Sequence, residues 1–161
     1  MPRVSKENYY LDIAETVIGR ATCLRRCYGA IIVKNDEIIS TGYNGAPRGR
    51  CNCVDLGRCT RAELNIPQGQ RYELCRSVHA EANAIISAAR RDMAGGTLYL
   101  AGKNAATGEL LSDTSSCSMC RRLIINAGLS KVVCRTGKDA YTVTDVRDWI
   151  TGDDTLPSDE A

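Results

Sequence analysis

Apolar residues recur at spacings of three and four over residues 7–24, and this period predicts a first helix with Ser5 as its N-cap. Two short apolar runs follow at residues 28–33 and 37–43, and the polar trio between them predicts a β-hairpin. Residues 44–76 have no clear period and contain four of the nine cysteines. A loop of this length is uncommon inside a compact domain unless something holds it, and a metal ion is our interpretation.

The second half of the chain alternates predicted helices and strands. The alanine-rich segment from His79 to Arg91 predicts one helix, and the segment from Cys117 to Ala127 predicts another that Ser116 caps. Short strands are predicted at residues 97–100 and 131–134, and a polar loop at residues 102–116. A short final helix is predicted at residues 143–150, followed by an acidic tail at residues 151–161 that frays. This alternation predicts a single domain, residues 1–150, with a layered α/β fold.

The composition argues against several classes of protein. The 161 residues are 43% hydrophobic and 25% charged, which is typical of a globular domain. The formal net charge of +2 gives no reason to expect binding to nucleic acid or to a membrane. No apolar stretch is long enough to cross a bilayer, and residues 1–7 lack the apolar run of a secretory signal. We therefore expect a cytoplasmic protein.

Cysteine is the unusual component, with nine cysteines beside a single histidine. In a reducing compartment, clustered cysteines bind metal or do chemistry more often than they form disulfides. Two short motifs supply candidate ligands: His79 begins the sequence His-Ala-Glu, and Cys117 and Cys120 form a C-x-x-C pair. One imidazole and two thiolates suit zinc and leave the fourth tetrahedral position open for water. Glu81 is then the candidate carboxylate for moving protons.

The spacing of these residues imposes a geometric condition. Positions i and i+2 of a regular helix point about 200° apart. His79 and Glu81 can therefore share a site only if their motif lies in the first turn of its helix, with the site beyond the helix end. The same condition applies to Cys117 and Cys120. Both helix N-termini would then point at the metal, which favours thiolate and hydroxide.

Four segments resemble the deoxycytidylate (dCMP) deaminases of the cytidine/deoxycytidylate deaminase superfamily, whose zinc signature pairs H-x-E with C-x-x-C. They extend the similarity over residues 9–150, and lie at residues 21–26, 38–47, 78–85 and 123–128. The resemblance implies a three-layer α/β/α cytidine-deaminase-like fold with a central mixed sheet of about five strands. One departure is Ser116, which stands where the family usually has proline before the C-x-x-C pair. A second is a longer loop at residues 101–116.

The resemblance also implies a reaction, the hydrolytic deamination of dCMP to dUMP and ammonia, which supplies dUMP for thymidylate synthesis. Zinc on His79, Cys117 and Cys120 would activate water for attack on carbon 4 of the pyrimidine, and Glu81 would relay the protons. Asn44 would hold the sugar or the base edge, and the Ala80 backbone would orient the base. Asn44 is equally suited to a turn, because Asn-Gly tolerates positive φ.

A structural zinc is the second metal that the resemblance implies, in a Cys-rich insertion at about residues 44–76. Its ligands would be Cys23, Cys53, Cys59 and Cys75, and a closed four-thiolate site contributes directly to folding. Cys51 is a rival ligand. The remaining cysteines are Cys27 and Cys134, together with Cys51 if it is not a ligand. We expect them to be small buried hydrophobic residues.

A nucleotide substrate needs cations for its phosphate, and the candidates are Arg26 and Arg48, together with Arg25 and Arg50. The sequence does not choose among them. The resemblance further implies a homo-oligomer, a hexamer or smaller, that dCTP and dTTP regulate, with Arg90 as a candidate interface residue.

Two alternatives stay open at the level of sequence. The first is another zinc deaminase, acting on cytidine or on tRNA adenosine, although the low charge and the 5% of aromatic residues give little sign of an RNA-binding face. The second is a non-enzymatic zinc-binding competence accessory protein. An intact Glu81 argues against it, because a purely structural zinc has no use for a proton shuttle.

Overall fold

Five strands form the centre of the fold in the computed structural model, which describes residues 1–153 and 155–156. The strands are β1 (Arg26–Lys34), β2 (Glu37–Tyr43), β3 (Thr97–Asn104), β4 (Lys131–Arg135) and β5 (Tyr141–Asp145). The helices are α1 (Lys6–Val17), α2 (Cys53–Leu56), α3 (Thr60–Glu63), α4 (Ala80–Ile86), α5 (Arg90–Met93), α6 (Ser118–Ala127) and α7 (Val146–Thr151). No helix within this described part is long and apolar enough to cross a membrane.

The sheet has the order β2-β1-β3-β4-β5 and is mixed. Strands β3 and β4 are parallel, with α6 in the connection between them, and the other neighbouring pairs are antiparallel. A parallel pair needs such a crossover, because the chain must return to the starting edge before it can run in the same direction again. The crossover brings the start of α6 to the same region as the start of α4.

Helices cover both faces of the sheet, so the predicted three layers are present. Alternate residues of β1 supply the two cores, because successive strand side chains point to opposite faces. Ala30 and Ile32 pack with α4 and α6, whereas Ile31 and Val33 pack with α1. The predicted hairpin and the predicted N-cap are also confirmed: β1 pairs with β2, and Ser5 Oγ accepts a hydrogen bond from the Asn8 amide at 3.2 Å.

Helix α1 is fastened to the sheet by one buried guanidinium. Arg135, at the end of β4, is 2% exposed and donates to Glu15 Oε2 at 2.6 Å and to Asp12 Oδ1 at 2.9 Å. It also donates to the Asn8 backbone oxygen and side-chain oxygen at 3.2 and 3.1 Å. A planar guanidinium can make these bonds simultaneously because its donors diverge in a fixed fork.

Two predicted helices are shorter in the structure. The first α-helix ends at Val17 and continues only as a 3-10 turn to Arg20, not to residue 24. The helix predicted to run to Arg91 stops at Ile86, and Ala89 is extended. Alanine favours a helix, but its methyl group makes few contacts that could anchor one. The chain turns at this point, and Arg90 Nε donates to the Asn126 carbonyl at 2.7 Å. Arg90 thus bonds the end of α6.

Two predictions in the second half were wrong in their bounds. Strand β3 runs through Asn104 because its extra residues pair with the start of β1, so the loop begins later than residue 102. The helix predicted from residue 143 begins at Val146, and residues 141–145 form a strand paired with β4. Three β-branched residues, Thr142 to Thr144, favour that strand. Residues 154 and 157–161 of the predicted tail lie outside the described residues.

The segment between β2 and α4 contains the short helices α2 and α3 and a 3-10 turn, Tyr72–Leu74, in otherwise irregular chain. The segment follows the end of β2, where Gly42 allows the strand to approach α4 closely. A Cβ on Gly42 would lie 2.4 Å from the Ala80 oxygen and 2.4 Å from the Ala84 nitrogen. Strand β2 therefore lies directly against the backbone of α4, which sets the position of that helix.

We expect Arg135→Met to lower the free energy of unfolding by about 3 kcal/mol, because removing one partner of a buried ion pair leaves the other charge uncompensated. Asp12→Asn should cost less than about 1 kcal/mol, since the Asp12 side chain is 56% exposed and water replaces its partner. Urea unfolding at pH 7 measures both values. Equal losses would contradict the assignment of the guanidinium as the fastening group.

Candidate active site

The starts of two helices bring the three predicted catalytic ligands together. His79 is the N-cap of α4, with extended backbone angles (φ −70°, ψ 155°), and Cys117 is the N-cap of α6. Both motifs therefore lie in a first turn, as their spacing requires. Ser116 was wrongly predicted as the cap of α6. Cys117 caps it instead, since its sulfur accepts from the Cys120 amide at 3.5 Å, while the buried Ser116 hydroxyl has no hydrogen-bond partner among the described residues.

The distances between these ligands fit a tetrahedral zinc ion. His79 Nδ1 lies 3.4 Å from Cys120 Sγ and 3.6 Å from Cys117 Sγ. Two ligands at the usual zinc–nitrogen and zinc–sulfur lengths and a tetrahedral angle are about 3.5 Å apart. Across residues 1–153 and 155–156, this is the one group of three metal-ligating side chains whose ligand atoms all lie within 4.8 Å. The donor set and its spacing thus agree.

The protonation of the three ligands is strongly coupled. Hydrogen bonds from Cys120 and then His79 lower the pKa of Cys117 to about 4. The Cys117 thiolate and burial raise the pKa of Cys120 far above its ordinary value. Burial favours a neutral His79, but hydrogen bonds to Cys117 and Cys75 outweigh it and raise the pKa of His79 to about 10. Without metal, the cluster at neutral pH holds one thiolate and two protonated ligands.

Glu81 lies in the first turn of α4 and is 5% exposed. Burial raises the pKa of its carboxyl, because desolvation penalises the charged form. The same carboxylate contributes to the raised pKa of Cys120, so the two groups are within electrostatic reach. A carboxyl that can hold or release a proton thus faces the ligand cluster.

His79 and Glu81 open into a cavity of about 390 Å³. That volume falls in the usual range for small-molecule sites. The lining groups come from β1, the end of β3, the segment between β2 and α4, and the loop before α6, and they include Tyr28, Asn44, Arg61, Tyr72, Asn104 and Cys117. A small polar molecule could therefore reach the ligand cluster.

Residues of the Cys-rich insertion also contact the His79 ring. The Tyr72 ring lies edge-on to the His79 ring, with centroids 4.8 Å apart. A hydrogen bond from His79 also lowers the pKa of Cys75 against the effect of burial. Metal-ligating histidines are commonly oriented by such a partner on the second ring nitrogen. The sequence pattern pointed to neither contact, because both depend on how an irregular segment folds back.

The predicted substrate-binding residues are placed differently from one another. Ala80 is fully buried at the start of α4. Asn44 lines the cavity, but its amide is engaged by β1: Oδ1 accepts from the Tyr28 amide at 2.8 Å, and Nδ2 donates to the Arg26 carbonyl at 2.9 Å. These bonds make Asn44 a support for the cavity wall.

The four predicted phosphate arginines divide into two pairs. Arg25 and Arg26 line the cavity. Arg26 is bonded to Asp113 at 3.2 Å. Arg48 and Arg50 are exposed, and neither is among the residues that line the cavity. Of the four predicted arginines, the structure therefore places the two at the start of β1 in the cavity wall, and not the two in the loop directly after β2.

The four predicted structural ligands lie around one region. Cys23, Cys59 and Cys75 line the cavity, and all three contribute to the raised pKa of the buried Cys53, after burial itself. Among the described residues, no three of these sulfur atoms approach one another as closely as the His79 group does. Cys51, the rival, is exposed and so is not a buried thiol, whereas Cys134 is buried and Cys27 half-buried.

Residues 4–136 match the family described as "Cytidine and deoxycytidylate deaminase zinc-binding region". This range covers most of the chain and contains both motifs of the ligand cluster, so the protein belongs to that family. It is 33% identical over 144 residues to a Schizosaccharomyces pombe protein named deoxycytidylate deaminase, an alignment that covers 88% of this chain and 41% of that protein. A Mycobacterium phage D29 protein of the same name is 34% identical over 83% of this chain and 96% of its own.

Solved structures give the same fold. The apo crystal structure of dCMP deaminase from the cyanophage S-TIM5 has a TM-score of 0.58 and 26% identity, and covers 91% of this chain and 90% of its own. The structure of that enzyme with dCMP and dUMP has a TM-score of 0.55 and 25% identity, with 83% and 84% covered. The cytidine-deaminase-like fold is confirmed. The chain spans about two fifths of the length of its fission and budding yeast relatives, at 41% and 38%.

The affinity of the His79, Cys117 and Cys120 site for zinc should increase with pH. Because His79 and Cys120 hold protons in the metal-free cluster and Cys117 does not, binding displaces two protons. The association constant should therefore increase roughly 100-fold per pH unit between pH 6 and 8. Competition with a chelator measures this increase, and the difference between wild type and His79→Ala isolates the site. An affinity independent of pH would contradict these protonation states.

Proposed function

We propose that the protein catalyses the zinc-dependent hydrolysis of dCMP to dUMP and ammonia. The observation that carries this proposal is the buried Glu81 carboxyl beside a His-Cys-Cys cluster whose spacing suits zinc, at the wall of one cavity. The names of the yeast and phage relatives support the substrate, as does the cyanophage enzyme solved with dCMP and dUMP.

Zinc held by His79, Cys117 and Cys120 would act as a Lewis acid and supply an activated water for attack on carbon 4 of the cytosine ring. Glu81 would accept one proton of that water and deliver it to N3. It would then take the second proton from the oxygen now bonded to carbon 4 and deliver it to the amine, which leaves as ammonia. A raised pKa suits both transfers, because a carboxyl that holds its proton less weakly can return it to the substrate. The backbone at Ala80, in the first turn of α4, orients the base, and Asn44 holds the wall against which the sugar lies.

The Cys-rich insertion would carry a second, structural zinc on Cys23, Cys53, Cys59 and Cys75. Their common location around Cys53 supports it, and so does the lack of regular structure in most of residues 44–76. A thiolate metal site would stabilise this segment in place of a hydrophobic core. We regard residues 1–150 as one deaminase domain that contains this insertion.

The proposal includes the biological setting. All nine cysteines are free thiols, which agrees with a reducing cytoplasm and with thiolate ligands. The enzyme would supply dUMP for pyrimidine nucleotide biosynthesis as a homo-oligomer of up to six chains, under control by dCTP and dTTP. Exposed apolar side chains on the layer of α4 and α6, Ile86 and Leu123, give a surface for assembly. Neither nucleic acid nor a membrane is a partner in this proposal.

The alternative of a non-enzymatic zinc module is less well supported. Such a protein would gain nothing from a carboxyl that is buried beside three ligands, because an unpaired buried acid destabilises the fold. A deaminase acting on another pyrimidine or on tRNA would share the cluster. The arginines of the cavity wall favour a phosphorylated mononucleotide over a free nucleoside.

Glu81→Gln should reduce kcat for dCMP by at least 100-fold, because the amide keeps the shape of the side chain but cannot accept or donate the relayed proton. Zinc content, measured by mass spectrometry, should stay unchanged. The control is Glu109→Gln, on an exposed loop residue, and it should retain full activity. Full turnover by the Glu81 variant would contradict the assigned mechanism.

Metal analysis should find two zinc ions per chain. Cys59→Ser should remove one of them and lower the melting temperature, because the substituted site loses a thiolate. Cys51→Ser, on the exposed neighbouring thiol, should keep both ions. A single zinc in the wild type would remove the structural site from the account, and a loss of zinc in the Cys51 variant would make Cys51 a ligand.

A further inference from the structure

The cavity wall contains a buried guanidinium that has no carboxylate partner. Arg61, on α3, is 6% exposed. Its Nε and Nη2 atoms donate to the Gln70 carbonyl at 3.2 and 2.8 Å, and Nη2 also donates to the Pro67 carbonyl at 2.8 Å. Within the described part of the chain, no acidic side chain forms an ion pair with it.

The other cations of this region are either paired with a carboxylate or exposed to solvent. Arg26 shares its charge with Asp113, and Arg58, three residues before Arg61, pairs with Glu63 at 3.0 Å. Arg25 lines the cavity on the exposed side and forms no ion pair among the described residues. A charge removed from water is costly unless an opposite charge or hydrogen bonds compensate it. The carbonyl bonds of Arg61 compensate only part of its charge.

One nitrogen of Arg61 is available to a ligand. Its Nη1 atom makes no hydrogen bond to the described residues and is not among their buried unpaired atoms, so it is accessible from the cavity that Arg61 lines. The guanidinium lies flat over the Tyr72 ring, 4.3 Å from its centroid. The stack and the carbonyl bonds hold the group rigidly, so little conformational entropy is lost when an anion binds to it.

The position of Arg61 relative to the ligand cluster suggests which anion binds. Tyr72 contacts both groups, with its ring centroid 4.3 Å from the guanidinium carbon of Arg61 and 4.8 Å from the His79 ring centroid. The cation and the metal ligand therefore pack against the same aromatic ring. One mononucleotide has groups for both, because its base and its 5′-phosphate lie on opposite sides of the sugar.

We propose that Arg61 binds the 5′-phosphate of the substrate, with Arg25 as a second cation at the rim, and that it makes the enzyme select nucleotides over nucleosides. This inference rests on the proposed dCMP deamination and adds the residue that determines its specificity. The phosphate supplies the acidic partner that Arg61 lacks among the described residues. Nη1 donates to a phosphate oxygen while Nε and Nη2 keep their carbonyl partners.

The test compares dCMP with deoxycytidine, which lacks only the phosphate, in Arg61→Met and in the control Arg58→Gln. Arg61→Met should lower kcat/KM for dCMP about 10- to 100-fold, mainly through KM, because a charge-assisted hydrogen bond is lost. Its kcat/KM for deoxycytidine should stay within about twofold of wild type. Arg58→Gln should change neither value. Arg61→Lys keeps a charge without the fork, and should lose part of the preference for dCMP.

Two outcomes of this comparison overturn the proposal. An equal loss for both substrates in the Met and Lys variants would mean that Arg61 only holds residues 67–72 in place. An unchanged preference for dCMP would mean that the phosphate binds elsewhere. If the wild type turned over neither substrate, the proposed function would fail by itself. Calorimetric binding of dUMP and deoxyuridine to the zinc-loaded protein would then decide the role of Arg61, since only the preference for dUMP should be lost in Arg61→Met.

Discussion

The close approach of one imidazole nitrogen to two sulfur atoms is the constraint on which the rest of the structure depends. His79 Nδ1 lies 3.4 and 3.6 Å from sulfurs that come from a different helix. Neither helix places these groups by itself. The parallel pair β3–β4 and its α6 crossover bring the helix starts together, and the close contact of β2 at Gly42 holds α4 against the sheet. A change in any of these packings would move the ligands apart.

Buried charges have three distinct roles in this fold. Arg135 forms ion pairs with Asp12 and Glu15 and fastens α1 to β4. Glu81 is buried beside the metal ligands, where desolvation raises its pKa and makes the carboxyl suited to exchanging protons. Arg61 is held by backbone carbonyls and the Tyr72 ring and has no acidic partner among the described residues, which leaves its charge available to an anion. The partners around each group, and not its burial, distinguish a structural charge from a functional one.

Much of this could be predicted from the sequence, for physical reasons that are visible in particular residues. The spacing of His79, Glu81 and the two cysteines already required helix starts, because the middle of a helix would point them apart. Strand β5 was missed because Thr142 to Thr144 come directly before α7. The apolar residues of the strand and of the helix together form a pattern that predicts a single helix. The break after Ile86 was missed because alanine propensity carries no information on where the chain must turn.

The Cys-rich segment was the least predictable part. Its contacts with the ligand cluster, Tyr72 against His79 and Arg61 over Tyr72, depend on long-range folding of a segment without periodicity. The phosphate candidates were accordingly sought among the arginines near recognisable motifs. The structure adds Arg61, whose lack of an acidic partner can be seen only once the chain is folded.

The most direct measurement of the central claim is the fate of solvent oxygen. Zinc-loaded protein is incubated with dCMP in water enriched in oxygen-18, and the product is analysed by mass spectrometry. Hydrolysis at the cluster predicts dUMP that carries one labelled oxygen at carbon 4, with one ammonia released per dUMP. Unchanged dCMP in the presence of folded, zinc-loaded protein, or a product without the label, would contradict the account.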